Sequence, residues 1–233
     1  MHKSEDAKGP SKESINQLVS LFDQGKTLKA LELSQNLIIQ HPRSFILWNF
    51  IGSANHALGK TSKAVKAFEK VTKFNPTYPD GFNNLGATLR EQGKLKAAEK
   101  ACSRAIFLNP NYAMAHYNLG NTFKDQNKLK QATYAFKKAI SINPDYIDAL
   151  NNLGIIFQNQ GEIEEALECF TKILQKNPNF ASAYFNIGNI LKEQGDLSKA
   201  IESFKQALTI NPKYAEAYYN MGNALKEKGH LNA

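Results

Sequence analysis

The sequence predicts an all-α solenoid of tandem 34-residue helix-turn-helix repeats, and three periodic features carry that prediction. Six of the eight prolines, Pro42, Pro76, Pro110, Pro144, Pro178 and Pro212, follow one another at steps of 34, and Asn precedes the last five. Twelve of the 14 glycines keep to two places in the same frame: position 8 (Gly52, Gly86, Gly120, Gly154, Gly188, Gly222) and position 15 (Gly25, Gly59, Gly93, Gly161, Gly195, Gly229). Between these marks apolar residues recur every three or four, the period of a helix with one buried face.

With proline at position 32, residues 1–10 form a flexible polar tail and 11–44 a degenerate capping copy. Full repeats span 45–78, 79–112, 113–146, 147–180 and 181–214, and 215–233 is a truncated sixth with its first helix only. In 11–44, Leu21, Gly25, Ala30, Leu37 and Pro42 fit, while Leu18 replaces glycine. An atypical first copy suits a solenoid end, where nothing stacks on the outer side. In each full repeat the first helix ends at position 15, where glycine adopts the left-handed region without strain. Repeat 113–146 has Asn127 there, the next most tolerant residue. Glycine at position 8 lies inside a helix and costs about 1 kcal/mol against alanine, so its recurrence predicts close approach by a neighbouring helix. The matching small residues are at position 20: Ala64, Ala98, Ala132, Ala166 and Ala200. In 113–146 the first helix presents Ala115, Leu119 and Phe123, and the second Ala132, Phe136, Ala139 and Ile140. Pro144 then bars continuation, since it lacks an amide hydrogen and disfavours helix at Asn143. In the last copy Gly229 should end the first helix and His230 begin a second.

The composition excludes several classes. At 233 residues and 42% hydrophobic the chain can build a core. Its apolar stretches, such as 45–48 and 154–157, fall far short of the roughly 18 residues of a membrane span. The polar start lacks the apolar core of a secretory signal. The net charge is +8, yet only Arg43, Arg90 and Arg104 among the cations carry the guanidinium fork that nucleic-acid readers favour. No nucleic-acid partner is expected. By repeat the charge runs +1 for 1–44, +4 for 45–78, +2 for 79–112, +3 for 113–146, −3 for 147–180, +1 for 181–214 and 0 for 215–233. Cys102 and Cys169 are too few and too far apart for a disulfide framework or metal site, which fits a reducing, cytoplasmic setting. Cys102 takes a buried packing position and Cys169 a semi-buried one. His41, His56, His116 and His230 form no ligand pair, and His116 reads as a core substitute. No catalytic residue, cofactor or metal is expected.

The frame resembles the tetratricopeptide repeat family. Its pattern at positions 4, 7, 8, 11, 20, 24, 27 and 32 is met in 45–78 by Trp48, Ile51, Gly52, Asn55, Ala64, Phe68, Val71 and Pro76. His116, Cys102 and Asn55 are modest departures from it. The resemblance implies a right-handed superhelix of about thirteen helices, whose first helices line a concave groove through positions 2, 5, 6, 9, 12 and 13. Position 6 reads Phe50, Asn84, Asn118, Asn152, Asn186 and Asn220. Position 9 adds Asn121, Asn189 and Asn223, and position 5 gives Asn83, Tyr117, Asn151, Phe185 and Tyr219.

Asparagine is a poor helix former, so five copies at one interior position suggest a compensating role. Its amide both donates and accepts, and a row of amides can grip a peptide backbone without reading side chains. The row resembles the asparagine ladder in the repeat domain of O-linked N-acetylglucosamine transferases. The peptide-binding set is therefore Asn84, Tyr117, Asn118, Asn121, Asn151, Asn152, Asn186, Asn189, Asn220 and Asn223. The carboxylate clamp of tetratricopeptide co-chaperones is absent, because Tyr117, Ser182 and Asn186 stand where its cations would be. At position 12 Arg90, Lys124, Lys192 and Lys226 are each followed by an acid, Glu91, Asp125, Glu193 or Glu227, so groove charge nearly cancels. The expected role is a scaffold for a protein or peptide ligand, the N-terminal repeat region of a larger protein. The alternative is a structural module that self-associates end to end through its last helix.

Overall fold

The computed structural model describes residues 9–231, and thirteen α-helices and no strand occupy them. Residues 1–8, most of the predicted tail, and 232–233 lie outside the described residues. The chain divides into two units, Met1–Ala132 and Thr133–Ala233. Unit 1 holds the hairpins α1 (Lys12–Asp23) with α2 (Thr27–Gln40), α3 (Phe45–Ala57) with α4 (Thr61–Phe74), and α5 (Pro79–Glu91) with α6 (Leu95–Leu108). It then adds α7 (Ala113–Asp125), and the boundary falls inside α8 (Leu129–Ile142). Unit 2 continues with α9 (Ile147–Gln160), α10 (Ile163–Lys176), α11 (Ala181–Glu193), α12 (Leu197–Ile210) and α13 (Ala215–Leu231). Within each unit every second helix packs on the first helix of the next hairpin, as α4 does on α5 and α10 on α11.

Local chemistry sets both kinds of turn. Gly93 ends α5 at φ +72, its N–H donating to the Arg90 carbonyl at 2.8 Å and that of Lys94 to Leu89 at 3.0 Å. These crossed bonds satisfy carbonyls that a helix end leaves open. Asn127 takes the same conformation at φ 59. Between hairpins the Asn before each proline closes an Asx turn: Asn75 Oδ1 accepts the Thr77 N–H at 3.2 Å. Asn109, Asn143, Asn177 and Asn211 repeat it. The Asn-Pro pair thus stops one helix and aims the next.

Inside the hairpins the position-8 glycines meet the position-24 side chain first, and at Gly86 the Ala98 backbone of position 20 also lies 3.3 Å from a would-be Cβ. A Cβ on Gly52 would lie 2.5 Å from the Phe68 ring, on Gly154 2.8 Å from Phe170, and on Gly188 2.6 Å from Phe204. The reason is volume: alanine leaves space, whereas a buried phenylalanine needs the missing Cβ. Each such ring contributes about 1.5–3 kcal/mol by leaving water. The first hairpin reverses the sizes, with Leu18 at position 8 and Ser34 at position 24 both fully buried. Ser34 satisfies its hydroxyl by donating to the Ala30 carbonyl at 2.7 Å.

Three further expectations change. Cys169 is buried, not semi-buried, and burial pushes its thiol up to about 11 and that of Cys102 up to about 12. His116 is half-buried at the hairpin edge, its Nε2 2.9 Å from the Pro110 carbonyl oxygen. A carbonyl only accepts, so Nε2 carries the hydrogen. Trp48 makes the equivalent bond from Nε1 to Pro42 at 2.9 Å, so His116 replaces an indole N–H rather than a core ring. Finally, α13 runs through Gly229 to Leu231. Among the described residues no second helix follows it. No helix among the described residues is long and apolar enough to cross a membrane.

Candidate functional site

The predicted asparagines lie on the first helices, and in unit 1 they bond from one repeat to the next. On α7, Asn118 Nδ2 donates to Asn83 Oδ1 of α5 at 2.8 Å. On α5, Asn84 Nδ2 donates to Asn49 Oδ1 of α3 at 3.3 Å, and Asn83 Nδ2 reaches Asn84 Oδ1 at 3.5 Å. Position 6 thus binds position 5 of the preceding repeat, across 35 residues of chain. Asn83 is 1% exposed. Asn49, outside the predicted set, is an anchor of the row; its place at position 5, one before the ladder position, is the only sequence sign of it. Asn121 is only 4% exposed, so of the predicted set it is the least open to a ligand. Asn84, Tyr117 and Asn118 are half-buried.

Beside the amides runs a row of ion pairs with the same offset. His56 Nε2 lies 2.8 Å from a Glu91 carboxylate oxygen, and Arg90 Nη1 2.9 Å from Asp125 Oδ2. Position 12 therefore pairs with position 13 of the following repeat. Such partly exposed contacts contribute about 0–1 kcal/mol each, and in the second of them the Arg90 and Asp125 charges cancel. Lys124 nearby is held below the usual lysine range, chiefly by desolvation and further by Arg90, with Asp125 opposing. Charge cancellation here matches the sequence reading, although His56 was not part of it.

Unit 2 carries the same residue types with different partners. Asn220 Nδ2 of α13 donates to Asn189 Oδ1 of α11 at 2.7 Å, from position 6 to position 9. Asn186 corresponds to Asn118 and Asn151 to Asn83, yet Asn186 has no side-chain partner among the described residues. Asn151 Oδ1 is enclosed without a hydrogen bond among them. Asn152 and Asn223 are half-buried. Phe185, an expected groove aromatic, packs inward, 4.9 Å from the Tyr214 ring and 6.0 Å from Phe204. Tyr219 on α13 stays 71% exposed.

An asparagine amide has two N–H donors and an oxygen with two lone pairs. Each link between repeats uses one donor and part of one acceptor. The remainder of each half-buried amide can pair with backbone N–H and C=O groups of an added chain. Among the described residues no group of three His, Cys, Asp or Glu side chains could hold a metal ion.

Family models described as TPR repeat match residues 52–93, 120–161 and 188–229. Models described as tetratricopeptide repeat match 79–112, 147–180 and 169–202. No curated protein matches the sequence. Among solved structures, MamA is 30% identical with a TM-score of 0.64, over 71% of this chain and 97% of that one. PilW, described as a widely conserved type IV pilus biogenesis factor, has a TM-score of 0.80 at 18% identity, over 93% of this chain and 100% of its own. YrrB, described as a TPR protein with an unusual peptide-binding site, has a TM-score of 0.63 at 19% identity, over 80% and 96%. At those identities PilW and YrrB bear on the fold alone. The matched repeats cover more than half of the sequence, and the chain belongs to the tetratricopeptide repeat family.

Proposed function

We propose that this protein–protein interaction scaffold is non-catalytic and binds an extended peptide, or an extended segment of a partner protein, along the asparagine-lined groove of its first helices. One observation carries the reading: the amides are tied repeat to repeat through single N–H groups, which orients them and leaves their other donors and lone pairs for a ligand backbone. Orientation before binding lowers the entropy a ligand must overcome. Near-neutral pairing at positions 12 and 13 favours a peptide over a phosphate backbone. The peptide-binding site described for YrrB agrees with such a use of the fold. The reading keeps the repeat frame of 45–214 and a cytoplasmic setting. Two buried, unpaired thiols support the setting.

The test is selection of linear twelve-residue peptides from a displayed random library, followed by titration of recovered binders against Asn84→Ala with Asn186→Ala. Weakening of about tenfold or more, with the helical circular dichroism unchanged, is the expected outcome. Binders indifferent to both substitutions, or no binders, would remove the groove reading.

A second reading, self-association, is favoured by α13. Tyr218 and Leu225 are about half exposed at positions 4 and 11, where Leu150 and Phe157 are buried. Light scattering over a concentration range tests it, and a strict monomer would sink it.

A further inference from the structure

Beside the amide row of unit 1 lies a notch of about 130 Å³ between α3 and α5. It is lined by the polar Ser53, His56, Asn84 and Thr88 and by the apolar Phe68 and Ala87. The notch follows from position 9, which reads Ser53 and Ala87 in these two helices but Asn121, Ile155, Asn189 and Asn223 in the later ones. Two small residues in succession leave room that a longer side chain would occupy. Resting on the groove reading above, we infer that this notch is a side-chain-selective subsite in a groove that otherwise reads the peptide backbone, and that it takes a threonine-sized hydroxyl side chain.

Size and polarity both point there. The volume suits one short side chain, and the buried Phe68 ring with the Ala87 methyl gives an apolar surface for a methyl group. Thr88 has already spent its hydroxyl hydrogen on the Asn84 carbonyl at 2.8 Å. His56 has committed Nε2 to Glu91. What remains is the Ser53 hydroxyl, which can donate or accept, the His56 Nδ1, and the unused part of the Asn84 amide. An alcohol can donate to one of these groups and accept from another. Valine would fill the same space and leave these polar groups unpaired.

The experiment repeats the random twelve-residue selection on the unsubstituted protein, on Ala87→Asn and on Ser53→Asn. Asparagine is already accommodated at position 9 of three first helices, so either variant should fold. The expected result is enrichment of threonine, then serine, at one register with the unsubstituted protein, and loss of that enrichment with both variants. In a recovered peptide, Thr→Val should weaken binding to the unsubstituted protein about fivefold and leave binding to Ala87→Asn unchanged. Binders with no enriched position, or the same enrichment on all three proteins, would overturn the subsite and leave the groove reading standing. A selection that yields no binders removes the groove reading and the subsite with it.

Discussion

Units 1 and 2 build their hairpins alike and finish their first-helix faces differently. Gly52 against Phe68 in unit 1 and Gly188 against Phe204 in unit 2 are the same contact, with would-be Cβ distances of 2.5 and 2.6 Å. On the face, Asn118 bonds the buried Asn83 in unit 1, whereas Asn186 and Asn151, the same residues at the same positions, do not meet in unit 2. Charge diverges as well: sequence up to Ala132 is strongly basic, and sequence from Thr133 is nearly neutral. The hairpin core tolerates little variation because a packed ring has one fitting partner. The face is bounded by solvent on one side and so is free to differ, which is where binding can be tuned without loss of the fold.

The likeness of the cores can be broken first. Phe68→Ala and Phe170→Ala should each cost about 3–5 kcal/mol, one in each unit, read as a fall in urea midpoint. An unchanged midpoint for either would show that its ring is not the wedge described here. Next, Gly52→Ala should lose about 1–3 kcal/mol, since the buried Phe68 ring cannot retreat from the new methyl. Gly222→Ala, with nothing within 4 Å, should gain up to about 1 kcal/mol from helix propensity. Equal signs at the two sites would contradict the packing account.

The contrast between the faces is sharpened by smaller effects. Asn118→Ala strands the Asn83 oxygen and should cost about 1–3 kcal/mol, while Asn186→Ala should stay within about 0.5 kcal/mol. Similar losses in thermal melts would erase the distinction. The smallest effect is a pH effect in unit 1. The Gln126 amide first, and then Lys128, hold the Glu99 carboxyl below its ordinary 4.5. A lowered folded value means its contribution is complete above the ordinary value and is lost as pH falls through the lowered one. Glu99→Gln should therefore lower the melting temperature slightly at neutral pH, converge on the unsubstituted protein at acid pH, and so flatten the acid limb. An identical acid limb in the variant would show that this carboxylate is not linked to folding.

Much of the fold was legible because its signals are local. A left-handed φ at Gly25, Gly59, Gly93, Gly161, Gly195 and Asn127 depends on one residue's own sterics. The Asx turns depend on an Asn and an N–H two residues on. The site was legible only in part. Asparagines at one helical face could be counted, but Asn49 escaped notice because its partner lies 35 residues away. Gly229 does not stop its helix as position 15 suggested, since the helical backbone of α13 continues through it to Leu231.

By itself, then, the sequence determined the period, the hairpin, the places where each helix stops in the full repeats, and a nearly neutral amide face. These follow from backbone sterics and residue type within a few positions of each other. Tertiary structure alone decided that position-24 rings fill the position-8 gaps, that Leu18 and Ser34 reverse those sizes at the first hairpin, and which amides pair. Those outcomes turn on tenths of an ångström between side chains distant in sequence, where close packing and hydrogen-bond length are steep functions of distance.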